Sequence, residues 1–240
     1  MAFSEDLSRV WSSVIATQAA PTPWLIGVCA VVGFGLVAWS PAWGYTRHLV
    51  TICHEAAHGV AALCSGRRLS GIRLHSDTSG LTLSRGRSRG PGMIVTAAAG
   101  HLGPGLIGLA AAYAVHRQHA IALLWGALVL LTLLLVQIRN WFGIWAVLVT
   151  AAAVFAVSWW APPQSQSAVA YAGTFFLLLA APWTVIELQI TRWRETARDS
   201  DVDTLARLTR IPALLWLVFL LGCTLATLVI GTYWILGRQF

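Results

Sequence analysis

The chain contains no lysine. All 16 of its basic residues are arginine, only nine residues carry a carboxylate, and 57% of the 240 residues are hydrophobic. With a mean hydropathy of +0.70, so little charge excludes a soluble core and points to an integral membrane protein. The four cysteines, Cys29, Cys53, Cys64 and Cys223, all fall in apolar runs with no C-x-x-C spacing, so they read as small apolar residues rather than a disulfide framework. A basic leader is also lacking: Glu5 and Asp6 stand where a cleavable signal would carry positive charge. Phe3, Leu7, Val10, Trp11 and Val14 recur instead at helical spacing, which predicts an amphipathic segment over 1–21 lying on the inner membrane surface. No internal repeat or low-complexity tract is visible.

What is abundant is apolar sequence. Seven runs approach or exceed the roughly 20 residues needed to cross a bilayer: 22–39, 44–65, 92–115, 119–138, 141–160, 168–188 and 211–236. The expected fold is an all-α polytopic membrane protein of about seven transmembrane helices, with one transmembrane domain over 22–240. Arginines are distributed unevenly between alternate connections. Arg9, Arg139, six in 66–90 and five in 189–210 fall on one side, against only Arg47, Arg117 and Arg238 on the other. The positive-inside rule then places the N-terminus in the cytoplasm and the C-terminus outside. On this reading the net charge of +7 is topogenic, with a contribution to anionic lipid binding, and needs no nucleic-acid partner.

The second run carries the chemistry: His54-Glu55-Ala56-Ala57-His58. Histidines at i and i+4 share one helix face, as a common metal ion requires, and the intervening glutamate is placed to take a proton from a water activated there. An ionisable cluster in a membrane span is costly and marks function by default. Cys53 points about 100° away from His54 on a helix and stays outside the set. After this run, Ile72-Arg73-Leu74-His75 and Leu81-Thr82-Leu83-Ser84 alternate around turn residues 76–80, the pattern of a membrane-associated β-hairpin. Two readings of it are open: its edge holds an extended peptide substrate by strand addition, or the hairpin rests on the membrane with no such role. The third run is rich in small residues, including Ala97, Gly100 and Gly103, which suits close packing on the motif helix. His101 lies within it, either as a satisfied polar contact or as an auxiliary group polarising a carbonyl or assisting the metal.

A catalytic zinc site takes three protein ligands, and two histidines leave one missing. Asp201, Asp203, Asp199, Glu187, Asn140 and His101 are the candidates. Asp201 and Asp203 diverge by about 200° on a helix, so only one faces the metal. Ser200 followed three residues on by Asp203 makes a capping box, which occupies Asp203 and leaves Asp201. Glu187, near the inner end of the sixth run, reads as structural, reaching water and the arginines that follow.

These features resemble the site-2 protease family of intramembrane zinc metalloproteases, in its compact bacterial branch without a PDZ domain. The likeness rests on His54-Glu55-Ala56-Ala57-His58, the hairpin, Ala99-Gly100-His101, and Ser200-Asp201-Val202-Asp203-Thr204-Leu205-Ala206 followed by Thr209-Arg210-Ile211-Pro212 and Trp216, and it covers most of the chain after about residue 40. It implies a zinc-dependent endopeptidase of a bacterial cell membrane that cleaves a transmembrane protein substrate. Zinc would sit on His54, His58 and Asp201, with Glu55 as general base. The chain departs from better-known members in having no Leu-Asp-Gly motif; Asn140 with Gly143 is what remains of that segment. Two other readings compete: a catalytically silent membrane scaffold of the same fold, favoured by that departure, and a small metal-handling transporter, which would spread ionisable groups over several spans.

Overall fold

The computed structural model describes residues 2–194 and 200–237; Arg198, Asp199 and Arg238 lie outside them. The elements are α1 (Ala2–Ile15), α2 (Pro23–Ala38), α3 (Ser40–Cys64), β1 (Arg68–Leu74), β2 (Gly80–Arg85), α4 (Pro91–His116), α5 (Ala120–Leu135), α6 (Trp141–Trp160), α7 (Pro163–Trp193), α8 (Asp201–Thr209) and α9 (Ala213–Leu236). Proline in the first two helical positions starts α2, α3, α4 and α7. It lacks the N–H that a helix start leaves unused, so it fixes these starts without loss.

All seven apolar runs are helical, but not as seven independent crossings. Four helices (α4, α6, α7 and α9) are long and apolar enough to cross alone. Between α2 and α3 the backbone leaves the helical region only at Trp39 and turns by 96°, so the first two runs can form one bent span. The 119–138 run yields a helix of 16 residues, because Gln137 and Arg139 leave it to bond Ile72 of β1 through their backbones.

By length and composition the described residues thus hold four candidate spans, or five with the bent pair counted as one, and α5 as a shorter apolar helix. At one end of the bundle, Gln18 N–H donates to the Gln118 carbonyl, its side-chain Oε1 accepts from Ile121 N–H, and His116 Nδ1 lies 2.7 Å from the Trp234 carbonyl. Tyr171 on α7 donates to the Val115 carbonyl near the same end. At the other end Ile72 and Leu74 of the hairpin pack with Ile52, Leu131, Ile138 and Val147. Counting α5 and the bent pair as one pass each, the described chain runs between these ends six times. On this path Gln18 and Trp234 lie at the end away from the hairpin.

The hairpin pairs β1 antiparallel to β2, with Ile72 opposite Thr82 and a register shift between Leu69 and Gly71. Its inner strand is fixed to the loop after α5. Besides the Ile72 backbone bonds, Asn140 Oδ1 accepts from Leu74 N–H at 3.1 Å and Asn140 Nδ2 donates to the Leu74 carbonyl at 2.6 Å. Asn140 thus acts as one more residue of an adjoining strand. Outward-facing side chains such as Leu130 (62% exposed) and Val229 (66%) are apolar, as a lipid-facing surface requires.

The six-pass path is tested by single cysteines at Gln18, Gln118 and Thr78 in a background lacking the four native ones. An impermeant maleimide is expected to label positions 18 and 118 from one side of the membrane and 78 from the other; opposite labelling of 18 and 118 would restore the seven-span path.

Candidate metal centre

α3 brings His54 and His58 together as the i, i+4 spacing requires, with their Nε2 atoms 3.0 Å apart. The Nδ1 of His58 lies 2.7 Å from the Thr96 carbonyl on α4. A carbonyl only accepts, so Nδ1 carries the proton and Nε2 is left with its lone pair directed at the site. The third member comes from α8. Asp201 Oδ2 lies 3.1 Å from His54 Nε2 and 3.2 Å from His58 Nε2.

α8 is short, and its placement rests on three anchors. Ser200 and Asp203 form the capping box expected from the sequence: Ser200 Oγ donates to Asp203 Oδ2 at 2.6 Å and Ser200 N–H to the same oxygen at 3.1 Å. Arg192 at the end of α7 donates to Asp203 Oδ1. Val202 and Leu205 are wholly buried, each contributing about 1.5–3 kcal/mol by burial. Asp203 is therefore spent on the cap, and Asp201 two residues earlier turns to the histidines. Burial alone would raise the Asp201 carboxyl, but without an ion hydrogen bonds donated by His54 and His58 outweigh it and hold the group well below the usual carboxylate range. A bound cation would displace those protons and meet the Nε2 lone pairs instead. For Asp203, hydrogen bonds from Arg192 and Ser200 likewise overcome the upward push of partial burial.

Glu55 is buried, and its Oε2 accepts from Thr82 Oγ1 at 2.7 Å. A Cβ on Gly80 would come within 2.5 Å of its carboxylate, so the hairpin closes directly over this side chain. His101 faces the same centre, with Nε2 at 3.8 Å from Asp201 Oδ2. His54, Glu55, His58, His101 and Asp201 all line one cavity of about 480 Å³.

Other candidates fall elsewhere. Asn140 clamps β1 and Asp203 caps α8, and neither lines the cavity. Glu187 does line it, but its partners are Arg47 (3.3 Å) and Trp43 (3.3 Å) on α3 rather than the arginines that follow it. Thr82, Thr96 and Arg47 carried no sequence signal for this site. Gly100 did, though only as a packing residue. Its real importance is that an added Cβ would lie 2.3 Å from His58 Nε2 and 2.6 Å from His54 Nε2.

The profile of a family described as Peptidase M50B-like matches residues 27–231. The chain belongs to that family. No curated protein and no solved structure matches it. The M50 family is zinc-dependent, so the donor set of this M50B-like chain can be tested against zinc. Zinc bonds of about 2.0–2.1 Å in tetrahedral geometry separate donor atoms by about 3.3 Å. The atoms of His54, His58 and Asp201 stand 3.0–3.2 Å apart, and a borderline ion suits two imidazoles and a carboxylate. The residues fit the ion.

Two outcomes are expected. Gly100→Ala forces the imidazoles from their positions and lowers zinc affinity by about 100-fold, measured by competition with a chromophoric chelator. Asp203→Ala removes the cap, destabilises α8 by about 1 kcal/mol and weakens zinc binding without touching a ligand, seen as faster hydrogen exchange over 201–209. Because the folded pKa of Asp203 is depressed, its contribution is complete above the ordinary carboxylate range and is lost as pH falls through the depressed value. Protection factors in α8, which divide out the slower intrinsic exchange at low pH, should therefore fall on acidification in the wild type, with a smaller response in Asp203→Ala.

Proposed function

We propose that this M50B-like chain is a zinc endopeptidase that hydrolyses a peptide bond in a membrane-embedded protein, with His54, His58 and Asp201 holding the metal and Glu55 as general base. The observation that carries the reading is the convergence of three donor atoms from α3 and α8 to within 3.0–3.2 Å of one another, on the wall of a cavity that also holds Glu55. Zinc, when bound, supplies a Lewis acid that acidifies water and polarises a carbonyl. Glu55 takes a proton from the attacking water as the C–O bond forms and delivers it to the amide nitrogen as the C–N bond breaks. The Thr82 hydroxyl holds one carboxylate oxygen of Glu55 and leaves the other for the proton.

A transmembrane helix must be unwound before its peptide bond can be attacked. The outer edge of β1 is taken by residues 137–140, whereas the outer edge of β2 has no backbone partner among the described residues. Gly80, Leu81, Thr82 and Ser84 line the cavity, so a segment added to β2 in extended form passes Glu55. Among the described residues the hairpin end carries eleven arginines in 66–90, at 139 and in 189–210, against Arg9 and Arg117 at the other end. By the same positive-inside rule the active site then opens to the cytoplasm and the end with Gln18 and Trp234 lies outside.

Elemental analysis of detergent-purified protein tests the metal set: about one zinc per chain is expected in wild type and in Glu55→Gln, and none in His54→Ala or Asp201→Ala. Glu55→Gln is expected to lower peptide hydrolysis by about 10²–10⁴-fold with zinc retained. A wild type that folds without zinc would overturn the reading.

A further inference from the structure

His101 is the histidine at this centre whose second nitrogen is both buried and without a hydrogen-bond partner among the described residues. The residue is 9% exposed, and the nitrogen is Nδ1. Its Nε2 points the other way, toward Asp201 Oδ2 at 3.8 Å, and the ring meets His54 edge-on with centroids 4.8 Å apart.

Two roles are open to such a ring beside a metal, and they demand opposite tautomers. A ligand needs its proton on the far nitrogen and its lone pair on the near one. His58 satisfies this, because the Thr96 carbonyl takes its Nδ1 proton. His101 has no acceptor for an Nδ1 proton. An orphaned buried N–H is the rarer and costlier defect than an unused acceptor, so the proton belongs on Nε2. That nitrogen then carries no free lone pair for a metal and presents an N–H to the cavity. Distance agrees: 3.8 Å from Asp201 is well beyond the 3.0–3.2 Å shared by the other three donor atoms and beyond the roughly 3.3 Å of donors on one tetrahedral ion.

We propose that His101 is a catalytic hydrogen-bond donor, not a metal ligand: its Nε2–H stabilises the oxyanion that develops on the scissile carbonyl. This rests on the zinc peptidase reading above. Glu55 is protonated as that charge develops, but the Asp201 carboxylate stays ionised beside it and disfavours it, so a hydrogen-bond donor adds to what the metal would supply. A donor fixed before the reaction, in a cavity of low dielectric, is worth more than the same bond in water. The residues about His101 hold it in place: it follows Gly100, whose lack of a side chain leaves room for the two ligand imidazoles, and it precedes Leu102, which packs with Val202 and Leu217.

The test separates donor from ligand by zinc affinity and by binding of N-phosphoryl-leucinamide, a tetrahedral anionic analogue of the reacting carbonyl, in wild type, His101→Phe and His101→Gln. The donor role predicts one zinc per chain in all three, with affinity unchanged within about threefold. It also predicts about 10²-fold weaker analogue binding in His101→Phe, largely restored by the side-chain N–H of His101→Gln. Loss of zinc in His101→Phe with a native melting curve would make His101 a ligand and overturn the inference while leaving the peptidase reading intact. Analogue binding that is absent from wild type or indifferent to His101 overturns the inference alone. A wild type without zinc overturns both.

Discussion

Two imidazole nitrogens and a carboxylate oxygen within 3.2 Å of one another are an unstable grouping unless a cation or shared protons lie among them. Neutral His58 keeps its proton on Nδ1 for the Thr96 carbonyl, which leaves its Nε2 lone pair for a metal. Much of the surrounding structure exists to hold that grouping. α4 gives up a side chain at Gly100 to make room for the two rings, and its Thr96 backbone fixes one of them. α8 has no apolar length of its own to keep it in place, and is held by a cap, an arginine and two buried aliphatic residues so that one carboxylate reaches inward. The hairpin, clamped by Asn140, covers Glu55.

The parts of this arrangement that sequence could disclose are those fixed by local spacing. His54 and His58 share a face because a helix repeats every 3.6 residues. Asp201 could be separated from Asp203 because a capping box is a local device whose second member is spoken for. The hairpin announced itself by alternation. What stayed hidden depends on tertiary direction. Ser40-Pro41 marks a break in the helix, but a break reads the same whether the chain reverses through a loop or turns 96° and continues, and that one difference lets two apolar runs form a single bent span. Arg47 reads as a topogenic charge until Glu187, 140 residues away, is found beside it. Thr82 and Thr96 are ordinary residues in ordinary places; only the fold gives the first a carboxylate to hold and the second a histidine to orient.

Three polar side chains on or facing α3 each find a partner on another element. Glu55 has Thr82, Glu187 has Arg47 and Trp43, and Thr51 Oγ1 donates to the Thr78 carbonyl at the hairpin turn. Each bond links α3 to a different element. The polar load of that helix therefore doubles as its attachment to the rest of the bundle, since in a medium without water a partner lost is not replaced.

The distance in sequence between the two halves of the centre has a consequence for how the protein is made. His54 and His58 are synthesised early, while Asp201 follows nearly 150 residues later, after five of the six passes. A nascent chain halfway through insertion already contains His54, Glu55 and His58, yet lacks the carboxylate that joins them. On the proposed reading, hydrolytic capacity is thus assembled last, when α8 docks against a bundle that is already nearly closed, and an unfinished chain has none to turn on its neighbours.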